Sequence, residues 1–533
     1  MLTHRRDRHN VDPVGRRVAA TVAATVLATI AATTVAPGTA YAGAPQVANP
    51  GFEADQPTAT PTGWSERGQV DASFTEPVGH AGANRLTHWS AQAYRVLTFQ
   101  RLTHVQQGTY TLRAWVRSSA DQLTAQLVLS GCGGRSQRID LPRTGPEWWV
   151  QLAVSTRVRG GACTIGIYSD AVAGSWINVD DLEFTRSGPV GDVAIQGADV
   201  SQLPKNEFYG AEYFDARGRQ RDALRILRDN GVNLARLKVW VNPADGFSDQ
   251  EDVLRMARRA KALGMKILVD FHYSDAWADP GKQNKPAAWA ALPFDQLTQA
   301  LYDHTYGMLA ALKAQHTPAD MAQLGNEING GMLWPDGRWD NWDGLAALLR
   351  AGGDAVRAAS PSTKVVLHLA EGGNNGGHVW WFDNAISRGV TFDIIAVSHY
   401  TYWHGPLGYL QANLFDLTTR YHKPILLVET AYGFTLDEND HETNIFNASL
   451  QQASGYPASP EGQVKALRDM FNVVAAVPNG QGLGVVYWEP TWTAVPGGGW
   501  DPADPASGDG WENQALFDYS GRALPALRIF DEF

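Results

Sequence analysis

The chain of 533 residues is 44% hydrophobic and 19% charged, a balance that excludes intrinsic disorder and leaves room for two or three domains with buried cores. Its formal net charge of −11 repels phosphate backbones and anionic lipid, so nucleic acid and membrane surfaces are excluded as partners and a neutral one fits better.

In chain order, residues 1–42 read as an export signal. An arginine-rich start (Arg5, Arg6, Arg8, Arg16 and Arg17) precedes an Ala/Val/Thr/Leu/Ile run, and "AYA" ends at Ala42, after which cleavage is expected. The paired arginines of "GRRVAA" leave both a general and a twin-arginine export route open. Removing five Arg and two Asp with this segment takes the formal charge from −11 to −14. Later apolar runs fall short of the eighteen or so unbroken residues a spanning helix needs. The mature chain is therefore expected to be soluble, extracellular and monomeric.

Residues 45–187 read as all-β. Alternating segments such as "TYTLRAWVRS", "TAQLVLS", "WWVQLAVSTRV", "TIGIYS" and "WINVDDLEFTR" are separated by Gly, Ser and Pro turns, which predicts a β-sandwich. Both cysteines, Cys132 in "SGCGG" and Cys163 in "GACTI", fall here. Oxidation to a disulfide between two strand ends is expected in an exported chain, with a free thiol as the alternative. The opening "VANPGFEADQPTATPTGWS" and the closing "INVDDLEF" resemble the ends of jelly-roll carbohydrate-binding modules appended to secreted glycosidases. Trp64, Trp89, Trp148 and Trp149 are either core residues or platforms for sugar rings.

Residues 188–192, within "TRSGPVGD", read as a linker. From residue 193 to 533 short apolar strands alternate with helical stretches such as "RDALRILRDNG" and "QEDVLRMARRAKALG", each closing on Gly. The candidate strands are "AIQGADVS", "NLARLKVW", "KILVDFHYS", "MAQLGNEI", "KVVLHLAEG", "DIIAVSHY", "PILLVETAYG" and "GLGVVYWEP". Eight such units predict a (β/α)₈ barrel, with its site at the C-terminal strand ends. A doubly wound sheet fits less well because its glycine-rich phosphate fingerprint is missing.

Those strand ends carry Asp199, Arg236, Lys238, Asp270, His272, Asn326, Glu327, Glu371, His399, Glu429 and Glu489. With neither a serine elbow nor a metalloprotease histidine pair in the sequence, carboxylates are the candidate reactive groups, and paired carboxylates suit glycosidic bond cleavage.

The segments "GADVS", "RLKVWVNP", "LVDFHYSDAWADPGKQNKPAAW", "QLGNEINGGMLWPDG", "SHYTYW", "LLVETAYGFTLDEND" and "GVVYWEP" together resemble glycoside hydrolase family 53, retaining endo-β-1,4-galactanases. The resemblance runs through most of residues 193–533. It implies that Glu327, after strand four, is the general acid/base and that Glu429, on strand seven, is the nucleophile. A β-1,4-galactan polymer is the implied partner, with no cofactor for catalysis. Asn326 is expected to donate to the sugar's 2-hydroxyl, or else to tie down its own loop. Arg236 is expected to keep Glu429 ionised. Asp199 and the aromatic Trp277 and Trp488 are expected at the substrate, beside Trp334 and Trp403. His272 and His399 are either hydrogen-bond partners of the site or core groups.

In "TLDENDHETN" the resemblance implies a structural calcium held by Asp437, Asp440, His441 and Asn444, with Asn439 as a substitute. The spacing departs from an alternating Asp-x-Asp-x-His-x-Asn arrangement and from an EF-hand, and a solvated acidic loop is the other reading. A related retaining glycanase acting on mannan, xylan or glucan, and a non-catalytic sugar-binding barrel, remain the alternative functions.

Overall fold

A computed structural model describes residues 46–57, 60–119, 122–186 and 193–533; the expected export signal and linker lie outside the described residues. The N-terminal part is two antiparallel five-stranded sheets packed face to face. In spatial order the first sheet holds Ser65–Gly68, Tyr94–Thr103, Ala162–Ala171, Gln122–Ser130 and Gln137–Asp140. The second holds Ser73–Pro77, Asn84–Trp89, Trp176–Arg186, Gly108–Ser118 and Val150–Val158. Alternation explains the packing: Leu112, Ala114 and Val116 of one sheet and Ile165 and Ile167 of the other are fully buried, while Arg113 and Trp115 between the first three face outward. Cys132 and Cys163 are joined in a disulfide beside this core.

Trp64 is 7% exposed, packs on Phe52 and donates from Nε1 to the Asn49 carbonyl, so it is a core residue. Trp148 packs on Tyr409 of the C-terminal part.

The C-terminal part is a closed barrel of eight parallel strands: Ile195–Asp199, Leu234–Val239, Lys266–Phe271, Met321–Leu324, Lys364–Leu369, Ile394–Ser398, Ile425–Thr430 and Gly482–Tyr487. They are called strands one to eight below. Helices cover the outside, which is why the strands are apolar on both faces.

Inside the barrel, a layer of Ile195, Leu234, Leu268, Met321, Val366, Ile394, Leu426 and Val486 forms an apolar floor. Gly197 belongs here because a Cβ would meet Val486 Cγ2 at 2.7 Å. Two to four residues further along strands one to six the inward side chain turns polar, giving Asp199, Arg236, Asp270, Gln323, His368 and Ser398. Strand seven reaches this polar layer only through a bulge. Its pairing with strand six advances from Val397↔Leu427 to Ser398↔Glu429, and the extra residue, Val428, reverses the parity that would turn Glu429 away from the barrel axis. The floor thus supports a polar layer whose members cannot shift independently.

Candidate active site

A pocket of about 540 Å³ opens at the C-terminal end of the barrel, above the polar layer. It brings together Asp199, Arg236, His272, Trp277, Asn326, Glu327, Glu429 and Trp488. His399 is not among its lining: that side chain is fully buried beneath the surface, and His404 faces the pocket instead. His399 serves through its backbone, donating its N–H to the Glu429 carbonyl at 3.0 Å. Trp334 lies outside the pocket and donates from Nε1 to the Gly330 carbonyl, whereas Trp403 lines it.

Arg236 is the hub. Its guanidinium, 1% exposed, donates from Nη1 to Asp199 Oδ2 at 2.8 Å and to Glu429 Oε2 at 3.1 Å. Nη2 reaches Asn326 Oδ1 at 2.7 Å and Asp270 Oδ2 at 2.8 Å, and Nε donates to Gln323 Oε1 at 3.3 Å. Burial works against its charge, but Asp270, Asp199 and Glu429 more than offset it and push its pKa up. The planar fork meets three acids and two amides at once, five partners where a lysine ammonium has only three donors.

Glu429 has two donors: Arg236 on Oε2 and the Tyr400 hydroxyl on Oε1 at 2.9 Å. Burial raises its pKa, and Arg236 and Tyr400 oppose the rise.

Glu327 sits differently. It follows a turn in which Gly325 adopts φ +82°, with Ile328 Cγ2 2.5 Å from where a Cβ would lie, and Glu327 itself is left-handed at φ 49°. That backbone, uncommon for a non-glycine residue, lifts the half-buried side chain off the strand line into the pocket. Its pKa is raised first by burial and then by the charge of Glu429, while the Ser398 hydroxyl, donating to Oε1, and Arg236 lower it. The two acids share one pocket, but only Glu429 holds a guanidinium directly. The proton therefore favours Glu327.

A buried relay fixes the Glu327 side of the site. His368, held neutral by burial, accepts the Glu327 N–H on Nδ1 at 3.3 Å; its Nε2 then donates to Ser398 Oγ at 3.0 Å, which leaves the serine proton for Glu327. Asn326 holds Arg236 with Oδ1 and gives one N–H to the Ala278 carbonyl at 2.9 Å. Asp199 accepts from Arg236 and from Ser201, and His272 holds Asp270 through Nε2 at 3.0 Å. Gln323, His368, Ser398 and Tyr400 do not stand out in the sequence: none is an acid, and whether they point inward depends on strand parity.

Aromatic rings wall the pocket. Trp277 stacks on Trp492 at 5.7 Å and 15°, and Trp488 meets Trp511 edge-on at 4.5 Å. The buried ammonium of Lys238 lies 3.8 Å from the Trp277 ring centroid, with Glu489 at 3.7 Å.

The loop after strand seven packs against the loop after strand eight. The Asp437 carboxylate accepts from Thr435 Oγ1, and its carbonyl accepts from Asn444 Nδ2. Asp440 accepts the backbone N–H groups of Glu442 and Asp509. His441 borders Gly508, whose φ of +77° and close neighbours leave no room for a side chain. Among the described residues no three His, Cys, Asp or Glu side chains are grouped to hold a metal ion. The loops do offer oxygen: Asn444 Oδ1, Asp509 Oδ2 and Glu512 Oε2 are buried without a hydrogen-bond partner. Burial, then neighbouring charge, pushes Asp509 well up; burial likewise takes Glu512 to about 7.

Comparison with known proteins follows the same outline. The family model described as Glycosyl hydrolase family 53 matches residues 195–530. The endo-beta-1,4-galactanase of Bacillus subtilis (strain 168) is 32% identical over 419 residues, covering 72% of this chain and 96% of that protein. The arabinogalactan endo-beta-1,4-galactanase of Cellvibrio japonicus (strain Ueda107) is 38% identical over 349 residues, covering 63% and 89%. The solved GH53 catalytic domain of Ignisphaera aggregans superposes with a TM-score of 0.62 at 43% identity, covering 64% of this chain and 96% of that one.

Removing the hub should cost stability. An Arg236→Met chain leaves Asp199, Asp270 and Glu429 buried without their cation, a loss of roughly 3–5 kcal/mol at neutral pH. Part of it should return in acid, where those carboxyls take up protons. Chemical denaturation at both pH values checks this, and unchanged stability at neutral pH would contradict it.

Proposed function

Because the chain belongs to glycosyl hydrolase family 53 and is therefore a glycoside hydrolase, we propose that it is a secreted retaining endo-β-1,4-galactanase acting on galactan by double displacement. The relatives' names support the substrate, and the arginine-rich, apolar N-terminal sequence supports export. The observation that carries the mechanism is the asymmetry of the two acids: Glu429 held by Arg236 and Tyr400, Glu327 by a hydroxyl alone.

In the first step the Glu429 carboxylate attacks the anomeric carbon while Glu327 gives its proton to the departing glycosidic oxygen. The C–O bond breaks and a galactosyl ester forms on Glu429. Glu327, now ionised, takes a proton from water, which attacks the same carbon and frees Glu429. Retention by this route requires the two carboxyl groups to lie about 5–5.5 Å apart. Each step needs the charges in opposite places, and Arg236 serves both by stabilising Glu429 whenever it is anionic. Asp199, Asn326 and His272 position Arg236 and Asp270 and face the sugar from the pocket floor. Trp277 and Trp488 stack on its apolar faces, and His399 is not kept as a substrate contact.

Calcium has no place in these steps. The proposed ion is structural: Asp440 and Asn444 of the expected set would hold it, and the unpartnered buried oxygens of Asn444 and Asp509, where the loops after strands seven and eight meet, support a hard cation there. Those loops also line the pocket through Glu442, Ile445 and Trp511.

Glu327→Gln and Glu429→Gln should each lower turnover of galactan by roughly 10²–10⁴-fold or more without loss of fold. The Glu327 variant alone should keep activity on an aryl galactoside with a good leaving group. Assays on galactan, mannan and xylan side by side test the substrate, and preference for either of the latter would overturn it. Tyr400→Phe removes a donor to the ionised form of Glu429, so the acid limb of the pH profile should move to higher pH; an unmoved limb would contradict the assignment. Chelation should lower the thermal midpoint and added calcium should restore it, as for any ligand that binds only the folded state. A midpoint indifferent to chelator would reject the ion.

A further inference from the structure

A second group of tryptophans stands outside the pocket, on the segments that follow strands four and five. The loop after strand four leaves Glu327 through the 3₁₀ turn Ile328–Gly330 and continues as a hairpin in which Gly331 pairs with Arg338 and Met332 with Gly337. Glycine closes that hairpin: a Cβ on Gly331 would lie 2.0 Å from the Gly337 carbonyl oxygen, and one on Gly337 would lie 2.4 Å from that of Met332. Met332 and Leu333 are buried and anchor it to the core. Trp339 comes directly after. Its N–H donates to the Gly330 carbonyl at 3.0 Å, yet the residue is 48% exposed.

The segment after strand five runs alongside. Ala370 and Glu371 line the pocket, and the Asn329 amide stitches the two segments together, donating to the Ala370 carbonyl at 3.1 Å and accepting its N–H at 2.7 Å. The helix Asn375–Ser387 then carries two adjacent tryptophans. Trp381 is buried and donates from Nε1 to the Ile328 carbonyl at 2.9 Å, whereas Trp380 is 46% exposed. Buried Trp342 braces both, with ring centroids 5.4 Å from Trp381 and 5.7 Å from Trp380. Trp380 and Trp339 meet at 6.5 Å and 66°.

Two half-exposed indoles side by side, on backbone fixed this firmly, mark a binding surface. Their attachment indicates what covers them. Glu327 gives its proton to the departing oxygen, so the part of a polymer beyond the broken bond lies on the Glu327 side. Both segments that carry the indoles begin there. A 3₁₀ turn rises about 2 Å per residue, which keeps Gly330, and the Trp339 backbone bonded to it, within about 6 Å of Glu327 along the turn. The charges beside the indoles are already paired, Arg338 with Asp340 at 2.8 Å and Arg388 with Asp343 at 3.1 Å, which favours a neutral partner with C–H faces.

We propose that Trp339 and Trp380 form a distal subsite for the leaving-group side of the polysaccharide, outside the pocket in which the bond is cut. The substrate class rests on the galactanase reading above, whereas the site rests on the two segments that run out from the pocket. The test uses the full chain and linear β-1,4-galacto-oligosaccharides of increasing length, isotopically labelled at the reducing end. The parent should release labelled fragments long enough to reach the indoles. Trp339→Ala and Trp380→Ala should each shift cleavage towards shorter labelled fragments and lower kcat/KM on the longer oligosaccharides by roughly three- to tenfold. Turnover of an aryl β-1,4-galactobioside, whose leaving group ends short of the indoles, should not change, and Trp339→Phe should bring back the parent's fragment pattern. An unchanged pattern in the alanine variants would overturn the subsite, as would equal losses on the aryl glycoside and the oligosaccharides. Self-association of the parent that these substitutions abolish would assign the indoles to a second copy of the chain and overturn it too. A parent that leaves galactan intact and cuts xylan or mannan would fault the galactanase reading alone, and the same fragment analysis on oligosaccharides of that polymer then decides the subsite.

Discussion

One buried cation organises the active end of the barrel. Arg236 lies on the second strand yet reaches acids from the first, third and seventh and the amides after and within the fourth. A charge so deeply buried is tolerable only because three carboxylates surround it, and those carboxylates are tolerable only because of it. That mutual dependence locks the strand ends into register at the place where chemistry needs placement to fractions of an ångström. It also breaks the symmetry between the two glutamates, since one is inside the network and the other looks at it from across the pocket.

The remaining features follow from that arrangement. The apolar floor under the polar layer removes water, which strengthens the ion pairs above it. The bulge at Val428 and the left-handed turn at Glu327 are local departures from regular strand geometry, and each aims one carboxylate into the pocket. His368 and Ser398 give Glu327 a hydrogen-bond partner that carries no charge, so its proton is not drawn away. Around this centre the tryptophans of the loops after strands three and eight supply apolar walls, and the sandwich abuts the helix that follows the sixth.

Much of the fold was legible in the sequence because parallel barrel strands are buried on both faces. Each appears as an unbroken apolar run, and all eight were counted from such runs. The two glutamates stood out because each directly follows or ends one. What escaped was anything that depends on which way a side chain points. Tyr400 and Ser398 sit beside His399 in one short segment, yet two face the site and His399 is turned away and buried. Trp148 and Trp149 are neighbours with opposite duties, one on the barrel and one on the sheet face, and Trp64 is a core residue that composition could not tell from either. Bulges, too, leave no mark in a run of Leu, Leu and Val. The loop after strand seven was recognisable as oxygen-rich, but Asp509 and Glu512, some seventy residues on, became its partners only in three dimensions.

The central claim is that the Arg236 network makes Glu429 the attacking carboxylate and leaves the proton on Glu327. Its most direct test is the configuration of the first product, followed by proton NMR while galactan or a short β-1,4-linked galacto-oligosaccharide is being cleaved. Double displacement predicts that the new reducing end appears first as the β-anomer and only then mutarotates. Initial release of the α-anomer would mean a single displacement by water, and would contradict the roles given to both glutamates.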